Sequence, residues 1–249
     1  MLAGFSFGGL ASLHFALRHP ERVRALALLD TGADFKNPDA QERWLAQTEK
    51  TGRILAERMG DDAEVAGLLA LMELQASRSG ARTDARGAPV LLGEQNRARW
   101  DRLLIRRGLA ALERAEEIAR RRGEPLGPYA LQAAIAACHA RAPSAEATDW
   151  PRIAALYDAL AQITHSPVVE LNRAVAVGRA FGPAAGLEIV EAIEGEPALA
   201  RYPWLHSVRG DLLEKLGRRG EARVAFERSA ALTANARERD LLLERARRC

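Results

Sequence analysis

Residues 127–186 read GPYALQAAIAACHARAPSAEATDWPRIAALYDALAQITHSPVVELNRAVAVGRAFGPAAG, and the fold follows from how this stretch continues. It is dense in alanine, broken only at Gly/Pro and Asp/Ser signals, and ends inside a unit that recurs 36 residues later. Ala174 corresponds to Gly210, Val177 to Leu213, Gly186 to Ala222, Val190 to Phe226 and Ile193 to Ser229. Four of these pairs join small with small or bulky apolar with bulky apolar; Ile193 with Ser229 is the weakest. Two short helices cannot bury an apolar stripe alone, so copies of such a unit must stack to share one core.

The period is close to the 34 residues of tetratricopeptide units, which predicts a mainly α, tetratricopeptide-like array over 128–249 with a concave face. Helices are expected at 129–141, 150–164, 167–181, 183–194, 202–217, 219–233 and 235–247. Gly182-Pro183 and Gly217 to Gly220 mark the turns, glycine closing one helix and proline opening the next. Gly123 to Pro128 (GEPLGP) reads as a linker. Upstream, Leu45 to Met59, Ala63 to Ala76 and Trp100 to Arg121 read as helices, the last with Leu103, Leu104, Leu109, Leu112, Ala115 and Ile118 close to one stripe. Asp84 to Gly93 is rich in turn signals and reads as a small hairpin.

The first 35 residues read differently. Leu2 to Phe5 is a strand, Phe7 to Arg18 a helix and Val23 to Asp30 (VRALALLD) a second strand, apolar on both faces as a buried parallel strand is. The organisation expected is therefore 1–58, a strand–helix–strand fragment; 61–122, a helical segment; and 128–249, the repeats, with the junction near residues 52 to 62.

Composition sets the outer bounds. A chain of 249 residues holds one or two domains and buries enough surface to fold unaided. Its two cysteines, Cys138 and Cys249, have neither the number nor the spacing of a disulfide framework or zinc site, so no metal, no cofactor and a reducing cytoplasm are expected. Met1 to Leu17 lacks a basic leading segment and is broken by Gly4, Gly8 and Gly9, unlike an export signal. No apolar run reaches the roughly 20 residues of a membrane span. Thirty-six basic residues are matched by 33 acidic ones, and the clusters Arg120-Arg121-Arg122 and Arg245 to Arg248 lack interleaved aromatics, which argues against specific DNA binding.

Two motifs carry chemistry. Gly4-Phe5-Ser6-Phe7-Gly8-Gly9 lies between a strand and a helix, where a sharp turn exposes the Ser6 hydroxyl and the Phe7 N–H faces a developing oxyanion. With LASLHFALRHPERVRALALLDTG after it, this resembles the nucleophile elbow of alpha/beta-hydrolases over roughly residues 1–58. The resemblance implies a histidine base and an acidic orienter on later strands. The sequence offers none: His139, His165 and His206 fall among the repeat helices, and His14 and His19 on the elbow helix and its exit. Ser6 is thus expected to be at most a vestigial nucleophile, and no catalytic site is expected.

The second motif set is EVAGLLALM (Glu64 to Met72), ARTDARGAPVLLGEQNRARWDRLLIRRGL (Ala81 to Leu109), GPYALQAAIAACHA, TDWPRIAALYD, SPVVELNRAVAVG and GPAAGL. Together, over about 61–249, these resemble the C-terminal tetratricopeptide-like extension of one group of bacterial extracytoplasmic-function sigma factors. The resemblance implies a transcription-regulator lineage, and partners among sigma-factor domains, RNA polymerase or a regulator. The promoter-binding domains of that family have no counterpart in this sequence, so a regulatory or interaction portion is implied.

If Ala174 and Gly210 fill the slot where paired helices touch, Leu171, Asn172, Val175 and Arg179 face the groove from one repeat, and Ser207, Asp211, Glu214 and Lys215 from the next. Mixed polar and charged residues on a concave face suit capture of a peptide or neighbouring domain. They equally suit a solvated inner face without a ligand. Trp150, Trp204, Tyr157 and Phe226 are assigned to the core.

Overall fold

A computed structural model describes residues 60–85 and 90–249, together with the backbone of two short strands. The strands, β1 (Leu2–Phe5) and β2 (Leu26–Leu29), pair in parallel, Leu2 beside Leu26 through Phe5 beside Leu29. Ser6, His14, His19 and the helix expected over 45–59 lie outside the described residues. Among the described residues the protein is mainly helical, with nine α-helices: α1 (Ala63–Ala76), α2 (Arg102–Arg122), α3 (Pro128–Arg141), α4 (Trp150–Thr164), α5 (Pro167–Phe181), α6 (Pro183–Ile193), α7 (Pro203–Lys215), α8 (Arg219–Leu232) and α9 (Ala236–Arg248). Two compact units divide the chain, one of 1–77 and 101–133, the other of 78–100 and 134–249.

In the first unit α1 packs on α2. Asp62 and Asp101 cap their starts, each carboxylate accepting two backbone N–H bonds of 2.8 and 3.1 Å. The buried line of α2 is Ile105, Gly108, Leu112, Ala115 and Ala119, at helical spacings of three and four. This corrects the expected stripe: Leu103 is 52% exposed, because two residues before Ile105 is about 200° round the helix from it. A Cβ on Gly108 would lie 2.8 Å from Leu74 Cγ, so the glycine sets how closely the helices approach. Buried Glu73 meets Arg107 at 2.5 Å. Glu64 reaches the start of α3 and accepts N–H bonds from Tyr129 and Ala130 at 3.0 and 3.1 Å, covering donors that the helix leaves open. Burial still holds the Glu64 carboxyl above its ordinary range, against the lowering effect of those two bonds.

In the second unit α4 packs on α5, α5 on α6, α6 on α7, α7 on α8 and α8 on α9. Helices α5, α6 and α7 all open on proline, which has no N–H to leave unpaired in a first turn. Only Gly182 separates α5 from α6; it adopts φ 105°, which a side chain rarely allows, and sends the chain back as an antiparallel pair. The 36-residue correspondence is visible in packing. Pro167 and Pro203 each open a helix. Ala174 and Gly210 are both buried, as are Gly186 with Ala222 and Val190 with Phe226. A Cβ on Gly210 would lie 2.7 Å from Phe226 Cε1, placing the glycine where α7 presses on α8. The weakest pair has a physical explanation: Ser229 is fully buried and donates its hydroxyl to Pro203 O at 2.8 Å. Ion pairs repeat as well. Arg173 meets Asp158 at 3.1 Å, and 36 residues on Arg209 meets Glu194 at 3.8 Å.

Three expectations are corrected here. Around the expected hairpin over 84–93, of which 86–89 fall outside the described residues, Val90 N–H donates to Arg82 O at 2.8 Å. From Leu92 the chain then winds into short 3₁₀ turns, the second capped by the Asn96 side chain, instead of running out as a strand. Trp204 is 42% exposed rather than core: the neighbouring Leu205 takes the buried face, and adjacent helical residues point about 100° apart. His165 lies just beyond α4, at φ 48°, closing the helix.

Candidate interaction face

The groove residues expected from the sequence fall on α5 and α7, both in the second unit. Asn172 and Arg179 are exposed on α5, and Ser207 is half-buried on α7. Leu171 is not on that face. It is 2% exposed and belongs to the core with Ala174 and Leu187, because a residue beside Asn172 and three before Ala174 must turn inward. Arg179 stacks its guanidinium 5.6 Å from the Trp150 ring, and Trp150 itself is half-buried, as is Tyr157, while Phe226 is fully buried core.

On α7 the charged end is organised by α9. Arg245 donates to Asp211 at 2.9 Å and to Glu214 at 2.5 Å, with its guanidinium 4.3 Å over the Phe226 ring. Lys215 donates to the other Asp211 oxygen. Burial by itself would raise the Asp211 carboxyl, but the hydrogen bonds and charges of Lys215 and Arg245 bring it below its ordinary value. A depressed carboxylate stabilises the fold above its unfolded pKa, about 3.9, and loses that contribution as pH falls through the lower folded value. Asp211→Asn therefore lowers the melting temperature at pH 7, and the gap to the parent narrows toward pH 3; a gap independent of pH would rule out the ionic account.

A second cluster was invisible in the sequence. Arg97 Nη1 donates to His139 O and, at 3.0 Å, to Ala142 O, closing the C-terminal end of α3, where a cation also suits the helix dipole. Its guanidinium lies 4.7 Å over the Trp100 ring, with that of Arg78 at 5.9 Å. His139 packs edge-on against Trp150 at 5.3 Å. Burial, reinforced by the charges of Arg78 and Arg97, pulls His139 down to about 4, so it is neutral at pH 7. The signal was present in QNRARW, Gln95 to Trp100, but its partners lie 42 to 51 residues downstream. Among the described residues no group of three His, Cys, Asp or Glu is placed to hold a metal ion, and no helix is long and apolar enough to cross a membrane.

Comparison with known proteins divides the chain in a related way. Residues 1–62 match the alpha/beta hydrolase fold, and residues 33–116 match a family of unknown function (DUF6596). An uncharacterized protein of Rhizobium meliloti (strain 1021) is 49% identical over 189 residues, 76% of this chain and 43% of its own length. The chain thus spans less than half of that relative. No solved structure matches.

Proposed function

We propose that this chain is the regulatory or protein-interaction portion of a sigma-factor-type transcription regulator, built as a tetratricopeptide-like array and working in the cytoplasm. The observation carrying the array is the recurrence, 36 residues apart, of the Arg173–Asp158 contact as Arg209–Glu194, together with matched helix starts and matched buried small residues. A stack whose inter-helix contacts repeat leaves one helix of each pair on a common face for a partner. The lineage rests on the resemblance over 61–249, and the greater length of the Rhizobium relative agrees with further domains in such proteins. The partner is then a sigma-factor domain, RNA polymerase or a regulator. Near-balanced charge, 36 basic against 33 acidic residues, gives no continuous stripe to displace counterions from phosphates.

Calorimetry with separately expressed promoter-binding domains of a sigma factor carrying this extension tests the reading, beside a promoter-fragment titration at about 150 mM salt, where the Debye length is about 8 Å. Association with the domains and only weak, non-specific DNA binding are expected. Tight sequence-specific binding to the promoter fragment by this chain alone would refute it.

The match of residues 1–62 to the alpha/beta hydrolase fold supports a second reading, a serine hydrolase using Ser6. Without a base, an orienter and the second oxyanion donor, a serine loses several orders of magnitude in rate. The expected result is ester turnover equal to that of Ser6→Ala. Stoichiometric labelling of Ser6 by a fluorophosphonate would establish the hydrolase instead.

A further inference from the structure

Helices α5 and α7 carry the same kind of stripe 36 residues apart. On α5, Val168, Asn172, Val175 and Arg179 follow one another at helical spacing, and on α7 Trp204, Val208, Asp211 and Lys215 do; none of the eight is buried. Each stripe opens with an exposed apolar side chain directly after the first proline, Val168 at 36% and Trp204 at 42% exposure. Core packing does not account for them, since Leu171 and Leu205 fill the core from the same helices. Each stripe ends in a cation. The two helices run in the same direction, Gly178 near the end of α5 lying against Leu212 near the end of α7. The combined face is therefore apolar at one end and cationic at the other. Eleven residues of helix, about 16 Å, separate the two ends.

We propose that this face takes an extended peptide whose apolar side chain lies on Val168 and Trp204 and whose carboxylates, about five residues away at 3.3–3.6 Å each, meet Arg179 and Lys215. This deepens the interaction-module reading and rests on it. Arg179 makes no ion pair among the described residues; a guanidinium stacked flat on Trp150 keeps its in-plane N–H groups for a carboxylate. Lys215 shares Asp211 with Arg245, so it can turn to a ligand while Asp211 stays neutralised. Two cations beside an apolar end are too few to hold a nucleic-acid backbone and suit a short acidic peptide. Trp and Arg are also the side chains that most often dominate such contacts.

The test is fluorescence anisotropy with labelled Phe-Ser-Gly-Ser-Glu-Glu, the same peptide ending Lys-Lys, and one with serine in place of phenylalanine. The Phe/Glu peptide should bind at least about tenfold more tightly than the other two. Trp204→Ala and Arg179→Glu should each weaken it by about tenfold or more, with melting temperatures within about 2 °C of the parent. No binding at about 1 mM, equal binding of all three peptides, or variants that bind like the parent would overturn the proposal. Running both variants against the promoter-binding domains separates the two readings. Domains that bind parent and variants alike would sink the peptide face and leave the module; peptides behaving as expected while the domains fail to bind would do the reverse.

Discussion

Truncating Phe226 to alanine lowers the stability of the second unit by about 3–5 kcal/mol. The ring is fully buried at the centre of the core that joins α5 to α9, and it touches three kinds of neighbour: the Gly210 backbone of α7, apolar side chains of the core, and the Arg245 guanidinium lying over its face. Removing it opens a cavity that the surrounding helices cannot fully close, and takes away the surface on which Arg245 rests between Asp211 and Glu214. The reciprocal change, Gly210→Leu, drives a side chain into the same ring and costs about 1–3 kcal/mol. Denaturant melts of the two variants and their combination check this. Because the positions touch, the double variant should depart from additivity, the leucine partly filling the space that the ring vacates. Two variants melting like the parent would mean that the 36-residue register of α7 and α8 is wrong.

The second large effect lies in the first unit. Arg107→Ala is expected to cost about 3 kcal/mol, the lower end of what breaking a buried ion pair costs. Glu73 is 2% exposed in the α1–α2 contact, and Arg107, itself 29% exposed, brings the opposing charge to 2.5 Å. The partial exposure of the guanidinium is why the lower end applies. Replacing both members, as Glu73→Leu with Arg107→Met, removes the buried charge along with its partner and should cost less than Arg107→Ala alone. A double variant worse than the single would show that Glu73 is held chiefly by other groups. The measurement is again equilibrium unfolding, read by far-ultraviolet circular dichroism.

Much of the helical plan was legible because its signals are local. Pro167, Pro183 and Pro203 each open the helix expected of them, and α1 and α5 span the residues that periodicity predicts. A proline fixes its own φ and a cap needs only residues two or three positions away, so no distant partner has to be known. The repeat register was legible for a similar reason: the helix contact demands a small residue opposite a larger one, and that demand recurs at a fixed spacing, as Gly210 and Phe226 show. Both signals live on the sequence itself.

What the sequence could not decide was which face of each helix turns inward and which distant charges meet. Leu171 and Trp204 were assigned to the wrong sides, because hydrophobicity alone does not separate two apolar residues on adjacent helical positions; only the approach of a neighbouring helix does. Arg97 could not be joined to His139 and Ala142, nor Arg245 to Asp211, from a sequence in which they stand more than 30 residues apart. By itself the sequence determined the helices, their turns and the 36-residue unit. The tertiary structure decided which side chains remain on the surface, since exposure is what is left after every other face has found a partner.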